Sequence, residues 1–120
     1  SRTTKELLII KAGDFVMSKM QRDKGKRFER EVVNTLKESG FYEAKRIPLS
    51  GLQEGFKGDV IIKRTEASKE LLGECKSRAG GFKLIYDAKE QDDADILFIK
   101  QDRKPVLVVM SLDDYIKGEY

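Results

Sequence analysis

The chain has no histidine and no tryptophan, a single cysteine and only two prolines in 120 residues. Without histidine there is no imidazole base, no Ser-His-Asp or Cys-His pair and no His-Cys zinc site. Any acid–base chemistry must then come from carboxylates, lysine, tyrosine or water activated by a metal. One cysteine excludes an intramolecular disulfide and a cysteine-rich metal site. No apolar run approaches membrane-spanning length and no signal-peptide pattern is present, so an intracellular protein without a membrane partner is expected, in the cytoplasm of a prokaryotic cell or a phage-infected host. No Gly-x-x-x-x-Gly-Lys-Ser/Thr stretch occurs, which argues against a nucleotide cofactor.

Charge is what the chain has in quantity. Charged residues make up 38% and apolar residues 39%, the balance of a soluble globular protein with one modest core. The net charge is only +3, but its distribution is uneven. Lys24, Lys26, Arg27 and Arg30 crowd one segment, and Lys45, Arg46, Lys57, Lys76, Arg78 and Lys83 follow. Acids gather later, at Glu90, Asp92, Asp93, Asp95, Asp113 and Asp114. A basic side with carboxylates at its centre suits a polyanion held over a metal.

Two short runs carry the chemistry. Gly58-Asp59-Val60-Ile61-Ile62 and Leu71-Leu72-Gly73-Glu74-Cys75-Lys76 both read as strands joined by a polar connector. Alternation along a strand puts Glu74 and Lys76 on one face, where Asp59 from the neighbouring strand can meet them. Cys75 alternates away, as a buried, reduced core residue. Two acids and a lysine on a stiff sheet suit a divalent-metal site for phosphodiester hydrolysis. The same residues also fit a plainer arrangement, with Asp59 capping a turn and Glu74 and Lys76 forming an ordinary ion pair.

A third acid lies in an unusual place. Phe28, Val32, Val33 and Leu36 recur at helical spacing from Lys24 to Ser39, ahead of a stop at Gly40. These four cover an arc of roughly 140° on a helical wheel, and Glu29 falls inside it. A carboxylate in a core-facing stripe costs several kcal/mol unless a cation satisfies it. A metal, a lysine or a buried arginine would each serve.

Elsewhere, residues 1–21 read as an N-terminal extension, with a hairpin around Ala12-Gly13-Asp14 or a piece introduced by cloning; residues 22–120 read as one domain. Phe41 to Pro48 reads as a strand and Leu49 to Lys57 as a loop suited to substrate contact. A helix over Leu84 to Asp93, strands over Asp95 to Lys100 and Pro105 to Met110, and a helix capped by Ser111 complete the order. The expected class is α/β, a mixed central sheet flanked by helices.

Taken together, Lys24-Gly25-Lys26-Arg27-Phe28-Glu29-Arg30-Glu31, Arg46-Ile47-Pro48-Leu49-Ser50-Gly51, Gly58-Asp59-Val60 and Glu74-Cys75-Lys76-Ser77 resemble the archaeal-type Holliday junction resolvases. These belong to the PD-(D/E)xK nuclease superfamily, with a restriction-endonuclease-like fold, and phage-encoded members are similar. The resemblance spans about residues 22 to 110, and Gly58 stands where the superfamily name has proline. It implies Glu29, Asp59, Glu74 and Lys76 as catalytic residues. It also implies Mg²⁺, with Mn²⁺ as substitute, held by Asp59, Glu74 and the Cys75 carbonyl, with Glu29 acting through a water. Lys24, Lys26, Arg27, Arg30, Arg46, Ser50, Lys57, Arg78, Lys83 and Lys89 are the expected DNA contacts. The activity it implies is paired cleavage of a four-way DNA junction by a homodimer. The alternatives are a nuclease of the same superfamily acting on other branched, flap or duplex DNA, and a DNA-binding module without catalysis.

Overall fold

In a computed structural model, residues 4–47 and 59–118 are described, with side chains from residue 19 onward except at position 21. The elements follow the order expected from the sequence: α1 (Thr4–Glu38), β1 (Glu43–Arg46), β2 (Val60–Lys63), β3 (Leu71–Gly73), α2 (Lys83–Gln91), β4 (Ile96–Ile99), β5 (Leu107–Met110) and α3 (Leu112–Lys117). They form two compact units, Ser1–Ser77 and Arg78–Tyr120. The fold is α/β, with antiparallel sheets flanked by helices. No helix among the described residues is long and apolar enough to cross a membrane.

The first correction concerns the N-terminal segment. It is helical from Thr4, and α1 runs through Ala12-Gly13-Asp14 without the hairpin expected there. A glycine inside a helix costs only about 1 kcal/mol, and no proline interrupts the chain before residue 48.

Glycine does end this helix. Gly40 takes a φ of 95°, a left-handed conformation that a side chain disfavours. Its N–H donates to the Lys37 carbonyl (3.0 Å), and the Phe41 N–H donates to the Leu36 carbonyl (3.1 Å). That pair of bonds is a Schellman closure, and Leu36 and Phe41 at its two ends are both buried. The closure turns the chain straight into β1.

β1 pairs with β2 and β2 with β3, both antiparallel, in the order β1-β2-β3. Val33, Leu36, Phe41, Ala44, Ile47 and Val60 are the buried apolar residues. Val33 and Leu36 come from α1, Ala44 and Val60 from β1 and β2, and Phe41 and Ile47 from the segments flanking β1. On β1, Glu43 and Lys45 pair with each other on the outer face (2.9 Å). Ala44 and Arg46 therefore share the inner face with the core.

The second unit has β4 and β5 as an antiparallel hairpin, with Ile96 opposite Met110 and Ile99 opposite Leu107. α2 packs on β4, leaving a cleft of about 580 Å³ lined by Leu84, Ile85, Ala88, Leu97 and Leu107 among others. Ser111 caps α3 as expected, its Oγ accepting from the Asp114 N–H at 3.1 Å.

Candidate active site

The site lies at one end of the β2/β3 pair. The β1/β2 ladder reaches its last described rung where the Ile47 N–H donates to the Asp59 carbonyl (2.9 Å). β3 stops at Gly73, three residues short of the strand expected through Lys76. The reason is visible in the hydrogen bonds. The Asp59 N–H donates to the Gly73 carbonyl (2.7 Å), one residue out of step with the register that sets Val60 opposite Gly73. The next bond is made by a side chain: Asp59 Oδ2 accepts from the Cys75 N–H at 2.8 Å. The Asp59 carboxylate thus replaces a rung of the ladder and is fixed against the backbone of the Glu-Cys-Lys run.

That run keeps strand-like alternation beyond the strand. Glu74 and Lys76 both project outward, their side chains 53% and 63% exposed, with Lys76 Nζ 3.5 Å from Glu74 Oε1. Cys75 faces the other way and is half-buried. Burial first, then the negative charges of Asp59, Glu29 and Glu74, push its thiol up to about 11. The thiol stays protonated at neutral pH, so Cys75 is not a nucleophile.

Glu29 is held by a partner. Its side chain is only 15% exposed, inside the stripe that carries Val33 and Leu36, and its Oε2 accepts from Arg46 Nε at 2.9 Å. Of the cations that could satisfy a carboxylate in that stripe, the one found is an arginine on the inner face of β1. Sequence reasoning named both residues separately, one toward a metal and one toward DNA. The signal that joins them is the inward parity of Arg46 with buried Ala44.

One residue was missed. A Cβ added at Gly73 would lie 2.6 Å from Val60 Cγ2, so only glycine lets β3 approach β2 this closely. A glycine inside a strand pattern is the available sign of such an approach.

Among the described residues, no group of three or more His, Cys, Asp or Glu side chains is arranged to hold a metal. Mg²⁺ asks for less: one or two carboxylates, with water and substrate phosphate completing the shell. Asp59, which uses one oxygen on Cys75 and has no described partner on the other, and half-exposed Glu74 fit that requirement. Glu29 is engaged by Arg46.

The expected DNA contacts divide into groups. Lys26, Arg27 and Arg30 are exposed on α1 and Lys24 is half-buried there. Arg46 is 31% exposed and tied to Glu29. Arg78, Lys83 and Lys89 belong to the second unit, where Lys83 pairs with Asp87 one helical turn on. Ser50, Lys57 and the Leu49 to Lys57 loop lie outside the described residues.

Asp59 is thus fixed against the Glu74-Cys75-Lys76 run at the end of the β2/β3 pair. The chain matches the family model described as "Phage putative PDDEXK endonuclease" over residues 20–119 and belongs to that family. No curated protein and no solved structure gives a significant match.

Proposed function

We propose that the protein is a Mg²⁺-dependent, structure-selective endodeoxyribonuclease that resolves four-way DNA junctions by paired phosphodiester hydrolysis. The observation that carries the nuclease reading is the Asp59–Cys75 bond, which locks the second and third motifs into one site beside Glu74 and Lys76. Junction selectivity is supported by the sequence resemblance to resolvases, which is a finer statement than the family match makes.

In this reading Asp59 and Glu74, with the Cys75 carbonyl, hold Mg²⁺ or Mn²⁺. When bound, the ion supplies charge stabilisation at the phosphate and lowers the pKa of water. The chain's own groups do the rest. Asp59 is preset by the Cys75 N–H, so its orientation needs no rearrangement when substrate arrives. Lys76, steered by Glu74, presents its ammonium to a phosphoryl oxygen or to the attacking water. Water adds to phosphorus, one P–O ester bond breaks, and the leaving oxygen takes up a proton. Arg27 and Arg30 on α1, with Arg46, contact flanking phosphates. Two symmetric cuts call for two such sites, which a C₂ homodimer provides. The reaction belongs inside a cell, that of a phage-infected host.

The test is a substrate panel. A synthetic four-way junction, a flap and a linear duplex of the same sequence are incubated with Mg²⁺ or with EDTA and read on a denaturing gel. Paired, symmetric nicks in the junction alone support resolution. Equal cutting of flap or duplex replaces it with a broader nuclease, and no cutting of any substrate removes the enzymatic reading.

A further inference from the structure

The role of Glu29 can be taken further than its pairing. It sits on the inner stripe of α1, and Arg46 faces it from β1, directly opposite Val60 and next to the last described rung at Asp59. The guanidinium carries five N–H donors in a rigid fork. Among the described residues only Nε is engaged, by Glu29 Oε2. Among the described residues neither Nη group has a hydrogen-bond partner, and the side chain keeps 31% of its surface exposed. A carboxylate that grips Nε alone fixes the plane of the fork and leaves its outer edge open for a tetrahedral oxyanion.

We propose that Glu29 is a positioning residue, not a metal ligand: it holds Arg46 by Nε so that the Nη donors meet a backbone phosphate of DNA at the Asp59 end of the sheet. The proposal rests on the nuclease reading for its choice of anion. Metal binding, by contrast, falls to Asp59, Glu74 and the Cys75 carbonyl. Glutamine at position 29 keeps an oxygen that accepts from Nε while losing the charge a metal ligand needs. Alanine loses both.

The experiment uses the full-length protein with two readouts. In the first, Mn²⁺ alone is titrated calorimetrically into metal-free wild type, Glu29→Ala, Glu29→Gln and Asp59→Asn. Both Glu29 variants are expected to stay close to wild-type affinity, whereas Asp59→Asn loses about tenfold or more. In the second, affinity for a four-way junction is measured against salt in EDTA. Arg46→Ala is expected to flatten the log–log slope by about one. Glu29→Ala should do the same, Glu29→Gln should restore the slope, and Glu29→Ala in the Arg46→Ala background should add nothing. A pair that merely stabilised the fold would lower the melting temperature and leave the slope alone, which overturns the proposal. So does a fall in Mn²⁺ affinity in Glu29→Gln that matches Asp59→Asn. If Glu29→Ala does not fold, Arg46→Lys takes its place, because an ammonium drawn onto Glu29 lacks the rigid fork that carries donors past the carboxylate to a phosphate. Loss of the slope unit then supports the proposal and its retention overturns it. Absence of both Mn²⁺ binding and cleavage in the wild type would instead defeat the nuclease reading, and the slope series would still report on Glu29 and Arg46.

Discussion

Gly73→Ala is the substitution whose effect follows most directly from the geometry. The added methyl would lie 2.6 Å from Val60 Cγ2, whereas carbon atoms in contact sit about 3.5–4.0 Å apart. Val60 is 3% exposed and its branched side chain is stiff at χ1, so it has no easy way to turn aside. The strain must be relieved by moving β3 outward by about 1 Å. Overpacking of this kind costs about 1–3 kcal/mol. The functional loss should be larger than that figure suggests, because the same shift stretches the Cys75 N–H to Asp59 Oδ2 bond from 2.8 Å to about 3.8 Å, beyond hydrogen-bonding range. Misplacement of a reacting group by about 1 Å costs on the order of 10²-fold in rate. Urea denaturation and single-turnover cleavage at saturating Mg²⁺ measure the two effects. Val60→Ala removes the obstructing atom, so in a double-mutant cycle Gly73→Ala should cost less beside Val60→Ala than alone, with a coupling of about 0.5–3 kcal/mol. Additive losses, or wild-type stability and rate in Gly73→Ala, would refute the reasoning.

Four other outcomes follow. Glu74→Gln should lose cleavage yet bind a junction as tightly as wild type or tighter, because a negative charge beside a phosphate is gone; Lys76→Ala should lose most activity with little change in Mn²⁺ affinity, and calorimetry with gel-shift titration reads both. Cys75 should react slowly with iodoacetamide at pH 8 and speed up as pH approaches about 11. Between its ordinary value of 9.0 and that raised value the folded chain holds the proton that the unfolded chain releases, so this group makes stability fall as pH rises through that window; a reactivity midpoint near the ordinary value would contradict the burial and the three nearby acids. Ser111→Ala removes the acceptor for the Asp114 N–H and should cost about 1 kcal/mol by thermal melt, with no change in Mn²⁺ affinity.

The element order was legible because each element has its own punctuation: Gly40 after α1, the polar run before β3, Ser111 before α3. Glu29 was legible as an anomaly, since a carboxylate among Val32, Val33 and Leu36 demands a partner. Its partner was not, because Arg46 reaches it through the pairing of α1 with β1 and not through local spacing. The early end of β3 was hidden for a similar reason. Leu-Leu-Gly-Glu-Cys-Lys alternates like a strand throughout, and only the Asp59 side chain, arriving from another strand, takes over the ladder. The N-terminal hairpin failed because Ala-Gly-Asp is a turn signal only where its flanks are not helical. Nothing in composition marks the division at Ser77–Arg78, although Gly80 and Gly81 follow it closely.

The most direct test of the central claim compares wild type with Asp59→Asn on a single four-way junction, with Mg²⁺ and with EDTA, under single-turnover conditions. Asp59 is the residue that joins the motifs through the Cys75 N–H and is the first of the two metal-binding acids proposed here. Cleavage by wild type in Mg²⁺, none in EDTA and none by a folded Asp59→Asn protein that still binds the junction is the predicted result. Undiminished cutting by Asp59→Asn would place the nuclease site elsewhere in the chain.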